Sequence, residues 1–260
     1  MKIFDRELLK LRANGLHNKH LEPNFLRLEI AERNMEKLNE INNNFQKGLE
    51  IGAGVGEFYS LLNSQKIAEL WQGIGVDNVL NHNPYPNKIL LDEENINLKD
   101  NSFDIVISNF SLHNINNPAD AFKNIYRILS QGGAFLMSIP IAGTLYPLNE
   151  VLFDVEMRLF NGVSPRIHPF ADITTLGNLV QAAGFQDITV DKDKIAIMYS
   201  SVDKIFADLK NAGQNNILTN RNKNYVGKNF FKEVELGLQK YKEQNHYPIT
   251  IEFANLIAWK

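Results

Sequence analysis

The spacing of apolar residues divides the chain into helical and extended segments. Near the start, apolar positions recur at three- and four-residue steps, which predicts an amphipathic helix with Asn24 as its N-cap. The residues of this stripe are Phe25, Leu28, Ala31, Met35 and Leu38. A leucine-rich helix is predicted ahead of it, around residues 8–11. We expect the two helices to cap the rest of the fold.

From residue 48 onward, short apolar runs alternate with helical patterns. The runs cover residues 48–51, 70–76, 89–91, 103–108 and 134–139. Runs of this length are typical of strands buried on both faces of a parallel sheet. Between the last two, Asn117 and Pro118 mark the start of a helix that we expect to end at Gly132-Gly133. This alternation predicts right-handed crossovers and a doubly wound α/β sheet.

The last third of the chain continues the alternation less regularly. Helices are predicted over residues 174–183, 202–212 and 228–241, and strands over 185–190, 195–200 and 250–259. The final run is apolar enough to be an inner strand. Because neither a linker composition nor an internal repeat appears, we expect a single domain.

Composition and charge narrow the function classes. The 260 residues carry a formal net charge of −3 and a pI of about 6.1, which does not favour nucleic acid as a partner. Cysteine is absent, so disulfides, zinc–thiolate sites and cysteine nucleophiles are excluded. No apolar run approaches the ~20 residues that span a bilayer, and residues 1–12 lack the apolar core of a secretion signal. We therefore expect a soluble, cytoplasmic protein.

A glycine-rich turn follows the first predicted strand. Gly52, Gly54 and Gly56 enclose Ala53 in a G-x-G-x-G pattern, and Glu50 lies in the strand itself. Glycine lets the backbone turn tightly and touch a ligand, and the helix expected after the turn would offer free N–H groups. The spacing is not that of a dinucleotide fingerprint, and a P-loop lysine is missing. Glu50 suits a cationic ligand such as the amine of a methionine moiety; the alternative is a turn that binds nothing.

Acidic and amide residues follow the later strands, at the edge where such sheets bind ligands. Asp77, beside Asn78, comes about 20 residues after the turn, where a ribose-binding fold has an acid that accepts from both hydroxyls. Asp92, beside Glu93, follows the third strand, where a carboxylate can bind an adenine amino group. Asn109 ends the fourth strand. Singly, each fits an ordinary turn; their order together favours a nucleoside site.

With these residues in place, the chain resembles class I S-adenosylmethionine-dependent methyltransferases over residues 48–140. Asn101–Asp104 and Ser111–His113 are similar to the malonyl-carrier-protein methyltransferases of biotin synthesis. Further motifs resemble the mitochondrial complex I assembly factor (arginine hydroxylase) family and its bacterial relatives. They are Ile3–Arg6, Asp92–Glu94, Gly143–Tyr146, Gly162–Pro165, His168–Phe170, Gly184-Phe185, Val190-Asp191, Asn220-Arg221 and Trp259-Lys260.

The resemblance implies a Rossmann-like fold with a seven-stranded, mostly parallel sheet and helices on both faces. It implies S-adenosylmethionine as cofactor and a protein substrate, such as a complex I subunit whose arginine is hydroxylated. It also allows a matrix-like location and a peripheral contact with the inner membrane. The expected parts are a helical cap (1–45), a cofactor-binding core (46–140), a lid insertion (141–173) and the C-terminal half of the sheet (174–260).

One position departs from the family pattern. In an ungapped comparison, the acid of the second strand falls at Ile74, three residues before Asp77. Either the strand end has shifted and Asp77 takes the role, or ribose binding is weakened.

Candidate catalytic residues lie beyond the fourth strand and in the lid. His113 could act as a general base, orient a substrate, or simply bond a loop carbonyl. Tyr146, Arg166 and His168 are the polar candidates of the lid, and Tyr199 approaches from a late strand. Arg166 could receive a carboxylate or form a surface ion pair. His17 and His20 have helical spacing but no third ligand nearby, so we expect no metal site.

Three functions remain open at this point. The first is an enzyme that modifies a side chain of a respiratory-complex subunit, with arginine the favoured target. The second is an O-methyltransferase acting on a malonyl thioester of a carrier protein. The third is an assembly chaperone that retains the fold without turnover.

Overall fold

A seven-stranded sheet forms the centre of the molecule, here described from a computed structural model. The structure describes residues 2–14, 24–63, 65–212, 216–224 and 226–260. His17 and His20 lie outside the described residues. The strands are β1 (Phe45–Ile51), β2 (Ile67–Ile74), β3 (Lys88–Leu90), β4 (Phe103–Asn109), β5 (Leu129–Pro140), β6 (Gln186–Tyr199) and β7 (Tyr247–Trp259).

The strand order is β3-β2-β1-β4-β5-β7-β6, which confirms the predicted seven-stranded, mostly parallel sheet. Strands β1 to β5 pair in parallel, while β7 runs antiparallel between β5 and β6. The chain leaves β1 toward β2 on one side, and β4 adds to β1 on the other. The order therefore reverses between β1 and β4, and the crevice at their carboxyl ends is where this class of sheet binds ligands.

Helices cover both faces of the sheet. They are α1 (Arg6–Asn14), α2 (Phe25–Glu40), α3 (Asp77–His82), α4 (Pro118–Ile128), α5 (Leu148–Phe160), α6 (Ile173–Ala182), α7 (Val202–Asn211) and α8 (Gly227–Leu238). Along β4, Val106 packs with α4 and α6, whereas Ile105 and Ile107 pack on the opposite face with α2. Successive residues of a strand point to opposite faces, so this central strand is apolar without interruption. A third apolar cluster joins α5, α7 and α8 to β6 and β7.

Local signals in the sequence placed most helix starts correctly. Asn24 caps α2 by accepting from the backbone N–H groups of Leu26 and Arg27. Asn117 caps α4 in the same way, with Pro118 in its first turn. The predicted end of α4 at Gly132-Gly133 is wrong, because α4 ends at Ile128 and the next residue already pairs with β4.

Two further predictions are corrected by the structure. The segments expected as separate strands at 185–190 and 195–200 form the single strand β6, because its polar middle residues keep pairing with β7 at the sheet edge. The glycine turn after β1 does not open an α-helix; turns lead into a 3₁₀-helix, Tyr59–Leu61. There, Phe58 is fully buried against the α2 face of the sheet and fixes the path of this short connection.

Among the described residues, no helix combines the length and apolarity needed to cross a membrane.

Candidate active site

The glycine turn has a backbone that only glycine adopts easily. Gly52, Gly54 and Gly56 have φ angles of +68°, +57° and +94°. A Cβ atom on Gly52 would lie 2.2 Å from the Cβ of Ser111, and one on Gly56 would lie 2.4 Å from the ring of Tyr85. Two neighbouring segments therefore approach this turn so closely that a larger residue would displace them.

Glu50 is a buried carboxyl group without a hydrogen-bond partner. Its side chain is 0% exposed, and neither oxygen is bonded. Burial raises the pKa of Glu50 to about 8; the positive charge of Arg27 opposes this shift and the carboxylate of Glu57 adds to it. Near neutral pH the group is mostly protonated. A cation placed beside it would stabilise its charged form.

Arg27 reaches over the glycine turn from α2. Its Nη2 donates to the Gly52 carbonyl oxygen at 2.8 Å, and its Nε lies 3.3 Å from Oε1 of the buried Glu57. A guanidinium carries five N–H donors, and these two contacts engage only part of them. A positive and a negative group thus stand side by side at the end of β1.

Asn109 holds the helix α2, which carries Arg27, through two hydrogen bonds. It is fully buried, its Nδ2 donates to the backbone carbonyl of Arg27 at 3.0 Å, and its Oδ1 accepts from Asn34 at 3.1 Å. The amide predicted to face a ligand is therefore turned toward α2. It fixes the helix that carries Arg27.

The acids that follow β3 are held by α1. Nη2 of Arg6 lies 2.8 Å from Asp92 and 2.6 Å from Glu93, and Nζ of Lys10 lies 2.6 Å from the other oxygen of Asp92. Burial opposes the ionisation of Asp92, but the bonds from Lys10 and the Glu94 N–H and the charge of Arg6 outweigh it and lower its pKa. Both oxygens of Asp92 are thus engaged before any ligand binds.

Glu93, and not Asp77, lies next to the ends of β1 and β2. Its carboxylate oxygens come within 3.5 Å of the Cβ positions of both Gly52 and Gly75. Strand β2 ends at Ile74, so the strand end has not shifted, and Asp77 is an exposed residue in the first turn of α3.

Asn78 packs on α1. Its backbone N–H donates to Asn14 at 3.2 Å, and its side chain donates to the carbonyl of Ala13 at 3.4 Å. In this structure Asn78 therefore contributes to the docking of α1.

A mostly apolar cavity of about 390 Å³ opens beside the glycine turn. It is enclosed by the loop after β4, by residues of the segment 141–173, by α7 and α8, and by the edge strand β6 with its neighbour β7. Six phenylalanine rings contribute to its wall: Phe25, Phe110, Phe170, Phe206, Phe230 and Phe231. Its polar lining residues are Asn24, His113, Thr144, Arg166, His168, Tyr199, Asp208, Lys210 and Asn216.

The cavity and the glycine turn share two walls. The hydroxyl of Ser111 donates to the carbonyl of Ile51 at 2.9 Å, and His113, two residues later, lines the cavity. On the opposite side, the first turn of α2 lines the cavity while Arg27 contacts the turn. A ligand at the turn and a second molecule in the cavity would therefore be neighbours.

Tyr199 and Asp208 form a polar pair inside this apolar wall. Burial raises the pKa of Tyr199, and the charge of Asp208 and a side-chain hydrogen bond to it raise the pKa further. Tyr199 therefore stays protonated and donates to Asp208. The aspartate keeps acceptor capacity for a second donor, because a carboxylate accepts about four hydrogen bonds.

Arg166 is already paired. Its Nε donates to Glu156 of α5, which is 1% exposed, and its guanidinium lies 4.7 Å from the ring centre of Phe230. Glu156 also accepts from the backbone N–H of Ser164 at 3.1 Å. The ion pair expected at the surface therefore has a buried acid, and Arg166 is not a free cation in the cavity.

Three of the four catalytic candidates, His113, Arg166 and His168, line the same cavity. His113 lies between Phe110 and Phe170, with ring centres 5.8 and 6.3 Å away, and His168 packs 5.2 Å from the ring of Phe4. Both histidines line the cavity with Arg166. Tyr146 does not join them; it is 43% exposed and packs against Tyr241, outside the cavity lining.

Sequence reasoning missed several residues of this site. Arg27 looked like an ordinary polar residue of an amphipathic helix, and Asp208 like a solvated helix residue. Ser111 stands out in the sequence only as part of a motif, and Tyr85, stacked 4.5 Å from the ring of Tyr59, has no distinguishing pattern around it. Each acquires its role from the approach of distant segments. In the part of the chain described, no group of three histidine or acidic residues is arranged to hold a metal ion.

Comparisons with known proteins show the family of this chain. Residues 20–190 match a family described as a methyltransferase domain. The chain is 30% identical to human "Arginine-hydroxylase NDUFAF5, mitochondrial" over its full length and 77% of that protein. It is 26% identical to "Malonyl-[acyl-carrier protein] O-methyltransferase 1" of Coxiella burnetii, covering 86% of this chain and 77% of that one.

Solved structures support the fold. The YcgJ protein of Bacillus subtilis has a TM-score of 0.61 at 16% identity, covering 88% of this chain and 98% of its own. A phosphoethanolamine N-methyltransferase of Haemonchus contortus, solved with S-adenosylhomocysteine, has a TM-score of 0.53 at 16% identity, covering 88% of this chain and 52% of its own.

Proposed function

The chain belongs to the S-adenosylmethionine-dependent methyltransferase family, and on that premise we propose that it modifies an arginine side chain of a protein substrate. The observation that carries the choice of substrate is the Tyr199–Asp208 pair, set in a cavity walled by aromatic rings.

The residues at the end of β1 fit the cofactor. Its methionine end carries an ammonium and a carboxylate, which suit the buried carboxyl of Glu50 and the guanidinium of Arg27. Glycines at 52, 54 and 56 let the backbone come close to the cofactor, because no Cβ atom intervenes. We assign the role of ribose acceptor to Glu93, whose carboxylate lies beside Gly52 and Gly75, in place of the acid expected at Ile74. When bound, this cofactor would supply an electrophilic methyl group carried on a positively charged sulfonium.

The cavity suits a guanidinium as acceptor. Asp208 can accept from its N–H groups, and Tyr199 fixes the direction of that carboxylate. Aromatic faces attract a planar cation, and the apolar wall excludes water from it. His113 stands at the border of the cavity and the cofactor cleft, where it would orient the acceptor or take a proton from it.

A protein subunit is the proposed carrier of this arginine. The similarity of the whole chain to 77% of an arginine hydroxylase supports it, and so do family motifs at both ends of the chain, such as Ile3–Arg6. By the same resemblance we propose a subunit of respiratory complex I as the partner. A contact with the membrane that holds this complex belongs to the same proposal.

A malonyl thioester is the second candidate, favoured by the Coxiella burnetii relative. Its free carboxylate would need a cation inside the cavity. Arg166 is engaged by Glu156, and among the other described residues of the lining only Lys210 is cationic. Lys210 is exposed, whereas Asp208 is half-buried beside Tyr199, so the cavity wall favours a cationic acceptor over an anionic one.

The test is peptide mass spectrometry of complex I subunits from a strain that lacks the gene. The strain is complemented with the wild-type chain, with Asp208→Asn, or with Asp203→Asn on the same helix as control. We expect one arginine to lose a modification in the deletion strain and to regain it with wild type and control only. An added oxygen means hydroxylation and an added methylene means methylation. A lost methyl ester on malonyl carrier protein would establish the second candidate, and no change in either would leave an assembly chaperone.

A further inference from the structure

A groove lined by basic residues adjoins the mouth of the aromatic cavity. We call it the basic groove; it has a volume of about 340 Å³. Its lining residues are Arg12, Arg166, Asn216, Arg221, Asn222 and Lys223. They come from α1, from the lid and from the segment before α8.

Positive charge in the basic groove exceeds the negative charge that neutralises it. Arg221 lies 3.4 Å from Asp5, and Arg166 is paired with the buried Glu156. Within the described ranges, no carboxylate comes within ion-pairing distance of Arg12 or Lys223. Burial lowers the pKa of Arg12, and the charge of Arg221 lowers it further, although Asp5 opposes this. The whole chain has a net charge of −3, so this local excess is a feature of the groove and not of the composition.

The groove is built before any ligand arrives. Nη1 of Arg12 donates to the backbone carbonyl of Asn216 at 3.0 Å, and Nδ2 of Asn216 donates to the carbonyl of Pro165 at 2.7 Å. Arg221 donates to the carbonyl of Leu218 at 2.7 Å. These bonds hold the guanidinium groups in place while leaving several of their N–H donors unused.

The basic groove and the aromatic cavity are continuous. Arg166 and Asn216 line both of them. A polypeptide that inserts one side chain into the cavity would therefore place a nearby residue against the groove. Planar guanidinium groups match the geometry of carboxylates, and such charge pairs select the partner and its register.

We propose that the basic groove binds a carboxylate side chain of the protein substrate, next to the residue that enters the cavity. This inference rests on the proposed function for the identity of the substrate as a polypeptide. The groove would then fix which side chain of the substrate reaches the cofactor.

The test uses the full chain and three probes: a blocked triglutamate peptide, the matched triglutamine peptide, and inorganic phosphate. Binding is measured by titration calorimetry at low ionic strength, where exposed charge pairs are least screened. We expect triglutamate to bind and triglutamine not to bind. In Arg12→Gln/Lys223→Gln, triglutamate affinity should fall about fivefold to tenfold, since each exposed pair contributes modestly.

The matched control is Lys204→Gln/Lys232→Gln, which removes the same charge from exposed positions of α7 and α8. Its triglutamate affinity should equal that of the wild type. An equal loss in both double variants, or no binding of triglutamate at all, overturns the proposal. Binding of phosphate in place of triglutamate also overturns it, in favour of a phosphate-bearing substrate.

S-adenosylmethionine binding is measured on the same samples. All three chains should retain S-adenosylmethionine binding, because neither pair contacts the glycine turn. Failure of the wild type to bind the cofactor would contradict the proposed function while leaving the triglutamate result to judge the groove.

Discussion

Replacing Glu50 with glutamine should change the pH dependence of stability. Burial raises the pKa of this carboxyl from 4.5 to about 8. Between these values the folded chain retains a proton that the unfolded chain releases. The unfolding free energy of the wild type therefore falls as pH rises through this window, and the loss is complete above the folded pKa.

The size of the change in unfolding free energy follows from the single proton that Glu50 retains in the folded state. The slope contributed by Glu50 is about 1.4 kcal/mol for each pH unit, and over the whole window it amounts to about 5 kcal/mol as an upper bound. Glutamine has the same shape and does not titrate. The burial cost of glutamine does not vary with pH. The difference in unfolding free energy between the two proteins therefore isolates the titration of the Glu50 carboxyl.

The measurement is urea-induced unfolding of both proteins at several pH values from about 5 to about 8. Relative to the wild type, Glu50→Gln should become more stable with each step in pH. The exposed Glu36, replaced by Gln, controls for the loss of one acidic group from the chain. A difference between Glu50→Gln and wild type that stays constant with pH would show that Glu50 is charged in the folded state, and the reasoning would fail.

Three further predictions concern the cofactor cleft. The ammonium of S-adenosylmethionine should favour the charged form of Glu50, so its affinity, measured by calorimetry, should rise roughly tenfold or more from pH 6 to pH 8 in the wild type. That rise should be absent in Glu50→Gln. Arg27→Gln should weaken cofactor binding about tenfold or more at constant pH, because a charge-assisted contact to the carboxylate is lost; unchanged affinity would remove Arg27 from the site. Gly52→Ala should lose at least about 2 kcal/mol of unfolding free energy, since φ is positive and Ser111 fills the space. Gly177→Ala, in open space on α6, should instead gain about 0.5–1 kcal/mol, and equal melting temperatures for the two variants would contradict this.

The sequence was most informative where a local pattern decides the structure. Apolar runs predicted every strand of the sheet, and Asn24 and Asn117 marked two helix starts, because caps and buried strands depend on neighbouring residues. It was less informative at the sheet edge, where the polar middle of β6 looked like a break although pairing with β7 continues through it.

The residues of the candidate site were likewise predicted where a local pattern marks them and missed where only tertiary packing does. The glycine turn and Glu50 form one continuous segment, so the sequence brings them together directly. Arg27 and Asp208 join the site only through tertiary packing, and nothing in their own segments distinguishes them from solvated helix residues. Asn109 was correctly placed at a strand end, but which way its amide turns is decided by α2, which comes from another part of the chain.

Helix α1 spans from the acids beside the cofactor cleft to the basic groove. Arg6 at its start and Lys10 in its middle bind Asp92 and Glu93, and Arg12 reaches Asn216 near its end. A short helix that is anchored near both ends connects the two sites as one rigid element. Ordering of this helix by a ligand at one end reduces the entropy that a second ligand must overcome at the other. We therefore expect cofactor residence and substrate docking to be cooperative, with α1 as the element that transmits the coupling.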